Sequence, residues 1–182
     1  MRQLINSTYI SLDGVIEGPH LWPALSGGHS DEGEAIQTEL LQSCDIVLMG
    51  RRTYEVFAPA WTSRSGDPYS DRINAMRKVV ASTTLTDPEW DNTEVIAGDV
   101  AARVGDLKNQ SSGDIVQYGF GDVSRPLLQH GLFDRPVLWI HPQLVGPSDA
   151  NDLLYRAGMT AVFDLVDSRV LSNGIILASY AV

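Results

Sequence analysis

Cysteine is nearly absent from this chain, which has 182 residues and a single thiol, Cys44. One cysteine cannot form an internal disulfide, and it cannot supply the several thiolates of a cysteine-based zinc site. Cys44 directly precedes a strongly apolar run, so we expect it to be a buried core thiol rather than a reactive one.

Long apolar runs and metal-binding patterns are missing as well. No apolar stretch approaches the ~20 residues of a membrane-spanning helix, and the N-terminus leads directly into a strand-like pattern instead of a signal peptide. The four histidines show no metal-ligand spacing; they are His20, His29, His130 and His141. The chain also lacks a Gly-x-Ser-x-Gly elbow and a Gly-Lys-Ser/Thr phosphate loop. We therefore expect a cytoplasmic protein with no metal site and no membrane partner.

Basic residues are outnumbered, with 13 Lys and Arg against 23 Asp and Glu and a net charge of −10. Nucleic-acid phosphates require a basic protein face, so we expect no nucleic-acid partner. A few arginines can still collect at one site and bind an anionic cofactor. The positions of the arginines are therefore more informative than their number.

Strand-like and helix-like patterns alternate along the chain and end in a hairpin signal at Ser172-Asn173-Gly174. We predict strands at 4–12, 45–49, 77–81, 94–96, 114–118, 136–141, 162–171 and 175–181, and helices at 32–43, from Thr53, and at 71–76, 100–108 and 123–130, with loop at 59–68. This order predicts an α/β sheet with an antiparallel edge. The length and the apolar content of 43% predict one domain, residues 1–182.

The most informative stretch is the apolar run 45–49 and the polar residues that follow it. A run this apolar predicts a central strand of a covered parallel sheet. Gly50 lets the backbone come close to a ligand, and Arg51 and Arg52 suit a phosphate. Thr53 is a good helix cap, and a helix N-terminus offers N–H groups to an anion. This stretch alone fits either a phosphate cradle or an ordinary strand–turn–helix corner with solvated arginines.

Two further predicted strands end in residues that suit a ligand. Ser82 and Thr83 follow the strand 77–81, and Gly119-Phe120-Gly121-Asp122 follows the strand 114–118. Ligands of open α/β sheets lie outside the carboxyl ends of the strands, so these strand ends predict one shared crevice. The Gly119-x-Gly121 turn either faces a pyrophosphate with its N–H groups or is a plain tight turn. It is not a Rossmann fingerprint, because residue 124 is serine.

Several motifs together resemble the dihydrofolate-reductase-like superfamily in their order and spacing. They are Ser11-Leu12-Asp13-Gly14-Val15-Ile16, Met49-Gly50-Arg51-Arg52-Thr53-Tyr54-Glu55, Val79-Val80-Ala81-Ser82, and Tyr118-Gly119-Phe120-Gly121 followed by Leu127-Leu128 and Gly131-Leu132-Phe133-Asp134. Within the superfamily, the chain resembles the branch of the reductase domain of the bifunctional riboflavin-biosynthesis deaminase–reductase. The resemblance covers essentially the whole chain, including the closing hairpin.

The resemblance implies a twisted, mostly parallel sheet of about eight strands flanked by helices, with NADPH as the cofactor. It implies that Gly50, Arg51, Arg52 and Thr53 meet the cofactor's phosphates, with one arginine on the 2′-phosphate, and that Ser82 and Thr83 lie at the adenosine-phosphate end. Gly119, Phe120, Gly121, Asp122 and Val123 would wrap the pyrophosphate and the nicotinamide ribose. Leu12, Asp13, Gly14, Val15 and Ile16 would border the nicotinamide.

The chain departs from the family pattern in places. It has no deaminase domain, so we do not expect the bifunctional enzyme, and Val145-Gly146-Pro147-Ser148-Asp149 replaces a small glycine-rich turn. Dihydrofolate reductases use a carboxylate on the helix before the Gly-Arg strand, and Glu34 falls there if no gap intervenes. Glu34 is then either the catalytic acid or an exposed glutamate at a helix start.

The resemblance thus implies an NADPH-dependent reductase. Its substrate would be a small pterin-like, flavin-precursor-like or carbonyl compound, held between the loop that contains Trp22 and the helix that contains Glu34. A nucleotide-binding module without reductase activity and a true dihydrofolate reductase are the alternatives. Homodimerisation is a further expectation from the family. For His141, at a strand end, a pocket-lining role and an ordinary strand-end role both remain open.

Overall fold

The computed structural model of the protein describes residues 2–28, 30–110, 113–154 and 157–182. Its centre is one sheet of eight strands. The strands are β1 (Leu4–Ser11), β2 (Cys44–Gly50), β3 (Arg77–Ala81), β4 (Thr93–Ile96), β5 (Asp114–Tyr118), β6 (Arg135–His141), β7 (Asp164–Val170) and β8 (Ile176–Ala181). The α-helices are α1 (Asp31–Ser43), α2 (Arg51–Thr62), α3 (Pro68–Ala75), α4 (Val100–Lys108) and α5 (Ser124–Gln129), and single 3-10 turns occur at Pro19–Leu21 and Ala150–Asp152.

The strand order across the sheet is β4-β3-β2-β5-β1-β6-β8-β7. The strands from β4 to β6 in this order run parallel, whereas β8 is antiparallel to both β6 and β7. The carboxyl ends of the parallel strands therefore meet at one edge. This topology confirms the predicted α/β fold of the dihydrofolate-reductase type with an antiparallel C-terminal hairpin.

Strand β2 lies inside the sheet between β3 and β5, and both of its faces are covered. Val47 and Met49 belong to the apolar cluster on the side of α1, α2 and α3, whereas Leu48 packs with Val104 on the side of α4. Each of these side chains is fully buried. Burying such a side chain contributes about 1.5–3 kcal/mol. The uninterrupted apolar run is therefore explained by burial on both faces. Cys44, at the start of the same strand, is buried as predicted.

Each predicted strand is present, with bounds shifted by at most two residues. The helix starts differ more. The predicted cap at Thr53 is wrong, because α2 begins at Arg51 with Gly50 as its N-cap residue. Helix α3 begins at Pro68, since the Asp67 carboxylate accepts hydrogen bonds from the Tyr69 and Ser70 N–H groups and caps it earlier than predicted.

The predicted loop 59–68 is wrong in its first residues, because α2 continues to Thr62 with Pro59 inside it. Phe57 and Trp61 pack against the apolar cluster on this side of the sheet. Tertiary packing of this face holds the helix together past a residue that usually ends one.

Within the described ranges, no helix has the length and apolarity that a membrane crossing requires. Nor do three or more His, Cys, Asp or Glu side chains gather in the described part of the chain as a metal site would need. His29 lies outside the described residues.

Candidate active site

A cavity of 1320 Å³ opens along the carboxyl ends of the parallel strands. We call its three main polar parts the strand-end corners: residues 50–53 after β2, residues 82–83 after β3, and residues 119–123 after β5. Every residue of these three corners lines the cavity. The structure thus brings together residues that are far apart in the sequence, as the strand-end pattern predicted.

The first and third corners are packed directly against each other. Gly119 has a φ of 78°, a conformation that side-chain-bearing residues rarely adopt. A Cβ atom at this position would lie 2.8 Å from Oγ1 of Thr53. At Gly50, a Cβ atom would lie 3.4 Å from the Val123 side chain. The contact at Gly50 is an ordinary van der Waals distance, whereas Gly119 allows an approach of the corners that a larger residue would prevent.

Helix α2 directs its N-terminus into the cavity, because the first corner is its first turn. Gly50 has no side chain that could cap the N–H groups of this turn, which are positively polarised by the helix dipole. Arg51 donates to the Glu55 carboxylate one turn later, with 2.6 Å between Nη1 and Oε1. The first corner therefore suits an anion.

Arg52 differs from its neighbour. It lines the same cavity but does not take part in the ion pair with Glu55. The pKa of Asp152 is lowered first by the backbone N–H of Asp149, then by the hydroxyl and the backbone N–H of Ser148, and least by the charge of Arg52. Arg52 is therefore placed toward the 3-10 turn at Ala150–Asp152, whose Asn151 also lines the cavity.

The other end of the cavity is aromatic. Tyr9, Trp22, Trp139 and His141 line it, and their rings are in contact in pairs. The Trp139 indole N–H donates to the Ser7 hydroxyl at 3.0 Å, and the Trp22 indole N–H donates to the backbone carbonyl of residue 17 at 2.9 Å. This end offers flat apolar surfaces suited to a planar molecule.

A chain of buried hydroxyl and amide groups lies beside the aromatic end. The Tyr69 and Tyr118 hydroxyls are 3.0 Å apart, and Tyr118 donates to the Gln37 side-chain carbonyl at 3.4 Å. The Gln37 amide in turn donates to the Ser7 hydroxyl at 3.4 Å. Burial raises the pKa of the Tyr69 and Tyr118 hydroxyls, so both are uncharged near neutral pH.

Helix α1 turns Gly33, Gln37 and Leu41 inward, because these residues lie four apart on one face. Glu34, the predicted acid, lines the cavity but is exposed, and it also borders a shallow groove on the outer side of the helix. The buried polar group that α1 presents here is therefore the Gln37 amide. The sequence-based prediction did not include Gln37, although its spacing from Leu41 marks the inward face.

Of the residues predicted to border the nicotinamide, only Ile16 lines the cavity. Leu12, Asp13, Gly14 and Val15 lie outside the lining, and the Leu12 side chain is 61% exposed. Val15 forms an antiparallel bridge with Leu153, and the Gly14 carbonyl accepts from the N–H of residue 154. These residues shape the turn that places Ile16.

Asp13 holds this turn to the segment 143–154. Its carboxylate accepts hydrogen bonds from the Ser11 hydroxyl at 2.5 Å and from the backbone N–H groups of Val145 and Gly146. These bonds lower the pKa of Asp13 to about 2; the bond from Ser11 has the largest effect and the bond from Gly146 the next largest. Residues 145–149, where the sequence departs from the family pattern, are therefore the partner of the 12–16 turn.

Trp22 lies on the loop between β1 and α1, where the prediction placed it near the substrate. The far end of that loop meets the hairpin turn between β7 and β8: the Asn173 amide donates to the Gly28 carbonyl at 3.4 Å. A Cβ atom on Gly27 would lie 2.7 Å from the Asn173 Cα. The loop is thus held at both of its ends, and residues from both ends line the cavity.

Comparison with known proteins gives a consistent result. The family model described as the RibD C-terminal domain matches residues 2–177. The uncharacterized protein YyaP of Bacillus subtilis (strain 168) is 25% identical over 189 residues, which is 98% of this chain and 94% of that protein.

Solved structures share the fold. A putative riboflavin biosynthesis protein from Shewanella sp. PV-4 superposes with a TM-score of 0.69 at 21% identity, covering 98% of each chain. A diaminohydroxyphosphoribosylaminopyrimidine deaminase/5-amino-6-(5-phosphoribosylamino)uracil reductase from Thermotoga maritima gives a TM-score of 0.63 at 16% identity. That match covers 99% of this chain and 56% of the Thermotoga protein.

Proposed function

The chain belongs to the RibD C-terminal domain family, and on that premise we propose that it is an NADPH-dependent reductase of a small planar substrate. The observation that supports this best is the convergence of the three strand-end corners on one cavity. At 1320 Å³ the cavity exceeds the ~300–1,000 Å³ of an ordinary ligand pocket. It therefore has room for a dinucleotide and a second molecule.

The residues of the corners fit the cofactor. The open N-terminus of α2, together with Arg51 and Arg52, would bind its phosphates, and Ser82 and Thr83 would hold the adenosine-phosphate end. The turn 119–123, which approaches Thr53 closely, would hold the pyrophosphate and the nicotinamide ribose. When bound, NADPH supplies the hydride.

The chain's own residues would position the acceptor. The aromatic end of the cavity lies between the loop that contains Trp22 and the inward face of α1, so a flat ring bound there would be oriented by its faces. Ile16, at the end of the turn fixed by Asp13, would border the nicotinamide. Glu34 at the cavity margin is the proposed source of the proton that accompanies the hydride.

One observation favours a second candidate, a nucleotide-binding module that reduces nothing. The buried polar group on the inward face of α1 is the Gln37 amide, which has no titratable proton, whereas the Glu34 carboxylate is exposed. If no acid reaches the substrate, the same corners would bind NADPH without turnover. This difference is measurable.

Two measurements on the purified full chain separate these functions. The first is the melting temperature with NADPH: at 100 times Kd a ligand specific for the folded state stabilises by about 2.7 kcal/mol, which raises Tm by roughly 5–10 °C. The second is NADPH oxidation with pterins, ribosylaminopyrimidines and small carbonyl compounds. Turnover supports the reductase, and a Tm shift without turnover on any substrate supports the binding module. Methotrexate-sensitive turnover of dihydrofolate indicates a dihydrofolate reductase, and no Tm shift contradicts all three.

We also propose that the protein is a homodimer through the edge of the sheet. Strand β7 is one of the two edge strands, and all of its residues are exposed. Leu165, Val166 and Val170 expose 59%, 63% and 70% of their surface. An edge strand that exposes several apolar side chains in this way is a suitable surface for a partner. Light scattering after size exclusion is expected to give twice the chain mass, and Val166→Glu is expected to give a monomer. A monomeric wild-type protein would contradict the proposal.

Together with the reductase function, we propose a cytoplasmic location, where NADPH is abundant. We also propose that residues 1–182 form one domain.

A further inference from the structure

His141 lies at the carboxyl end of β6, at the aromatic end of the cavity and outside the strand-end corners. Its backbone is in register with Ser11 on β1. Its ring lies 4.9 Å from the Tyr9 ring and 5.3 Å from the Trp22 ring, the latter in an edge arrangement. None of the contacts described so far gives this side chain a role.

The Nε2 atom of His141 is buried and has no hydrogen-bond partner among the described residues. A buried polar atom without a partner is costly and needs an explanation. The aromatic neighbours do not supply one. The Trp22 indole N–H donates to the carbonyl of residue 17, the Trp139 indole N–H donates to Ser7, and the Tyr9 hydroxyl interacts with the Gln37 side chain. A ligand in the cavity is the partner that remains.

The imidazole is uncharged under ordinary conditions. Burial lowers the pKa of His141 to about 4, so the neutral ring predominates at pH 7. A neutral imidazole has one donor and one acceptor nitrogen, and it therefore matches an uncharged N–H or C=O group better than a phosphate. The surrounding rings of Tyr9, Trp22 and Trp139 favour a flat molecule.

We propose that His141 is a specificity-determining residue that hydrogen bonds through Nε2 to the amide-like edge of a planar heteroaromatic substrate. The ligand edge takes the place of the Trp22 ring that now lies perpendicular to the imidazole. The part of this inference that concerns a substrate rests on the proposed reductase function. The binding geometry itself requires only the aromatic end of the cavity.

The test compares two probes that differ in one feature. Lumazine has ring N–H groups beside its carbonyls, and 1,3-dimethyllumazine has methyl groups in their place. Binding of each to the full chain is measured by quenching of tryptophan fluorescence, with and without saturating NADPH. The wild-type protein is expected to prefer lumazine by roughly ten- to a hundred-fold.

The variants are chosen to separate a hydrogen bond from shape. His141→Leu keeps an apolar side chain and is expected to reduce the preference to about unity, whereas His141→Gln places an amide near Nε2 and is expected to restore part of it. His130→Leu is the matched control, because His130 is exposed at the end of α5 and outside the cavity lining. It is expected to keep the full preference. Circular dichroism verifies that each variant is folded.

Each outcome is informative. A preference that survives in His141→Leu, or that His141→Gln fails to restore while folded, overturns the role of His141. Absence of binding of both probes to the wild-type protein overturns the assignment of a flat heteroaromatic ligand. If NADPH binds and turnover is seen while the preference is unchanged by His141→Leu, the inference fails and the reductase function stands. If NADPH does not bind but the probes discriminate as expected, the reductase function fails and His141 retains its role.

Discussion

Replacing Gly119 with alanine tests the packing between the first and third strand-end corners. The substitution adds one methyl group to a residue with a φ of 78° and places it 2.8 Å from Oγ1 of Thr53. Two separate costs follow. The left-handed backbone conformation costs roughly 1–2 kcal/mol for a residue with a Cβ, and the crowding costs about 1–3 kcal/mol if the neighbours adjust as packed side chains usually do.

The expected loss in the free energy of unfolding is therefore about 2–5 kcal/mol. For a chain of this size, each kcal/mol lowers Tm by roughly 2–4 °C. Because both glycine-bearing corners are part of the proposed cofactor site, we also expect NADPH to bind more weakly. Urea unfolding gives the free energy, and titration of NADPH gives the affinity.

Two control variants divide this loss into its parts. Gly98→Ala changes a glycine that lines the same cavity, has no positive φ and has open space around its Cβ position, so it is expected to be nearly neutral. Adding Thr53→Ala to Gly119→Ala removes the crowded oxygen. The double variant is expected to regain the crowding cost, which gives a coupling energy of about 0.5–3 kcal/mol, while the backbone cost remains.

The geometry of the corners would be refuted by either of two results. One is a Gly119→Ala protein as stable as Gly98→Ala. The other is strict additivity of the Gly119→Ala and Thr53→Ala changes, because residues that do not touch show no coupling.

Further predictions follow from other residues of the site and the core. Arg51→Ala and Arg52→Ala are each expected to weaken the binding of NADPH more than the binding of NADH, by roughly ten- to a hundred-fold, which corresponds to about 1.5–3 kcal/mol. The larger effect is expected at Arg52, because Arg51 is already paired with Glu55. Equal losses of affinity for both cofactors in titrations would contradict this. Because the pKa of Asp13 is lowered to about 2 in the folded protein, its ionised carboxylate stabilises the fold above pH 3.8, and this stabilisation is lost as the pH falls toward about 2. In Asp13→Asn, the free energy of unfolding is therefore expected to decline less over that pH range. Parallel declines of the two proteins would show that Asp13 does not contribute. Burial raises the pKa of Cys44 to about 11, so the native protein is expected to resist iodoacetamide at pH 8 and to react fully in denaturant; rapid labelling of the folded protein would be the contrary result.

The strand pattern and the strand-end corners were predictable because their signals are local. The apolar run of β2 directly reflects burial on both faces, and Gly50, Arg51 and Arg52 follow it in sequence as well as in space. Parallel strands place their carboxyl ends together, so knowledge of the sheet type was enough to bring residues 82 and 119 beside them.

The helix limits were less predictable, since tertiary contacts override local propensity. Thr53 has the side chain of a cap, yet the helix starts at Arg51 because the strand ends at Gly50 and the backbone turns there. Pro59 resembles a helix end, but the contacts of Trp61 keep the helix intact.

The aromatic end of the cavity depends on contacts between distant parts of the chain. The spacing of Gln37 from Leu41 indicates that it faces inward, but its polar partners Ser7 and Tyr118 come from distant strands and cannot be read from its sequence neighbourhood. For His141 the sequence left a pocket-lining role and an ordinary strand-end role open, and the structure places it in the cavity lining; that its Nε2 atom has no partner among the described residues follows only from the three-dimensional contacts. Asp13 was expected beside the nicotinamide, whereas the structure shows its hydrogen bonds to the 145–146 backbone.

These bonds have a consequence for how such proteins can diversify. The segments 12–17 and 143–154 are joined by the Asp13 carboxylate, the bridge between Val15 and Leu153, and the hydrogen bonds from residues 16 and 17 to the Asp152 carbonyl. An insertion or deletion in the later segment would reposition the earlier one without altering any strand of the sheet. The wall of the cavity beside Ile16 can therefore be reshaped through a surface loop, while the three strand-end corners are kept intact.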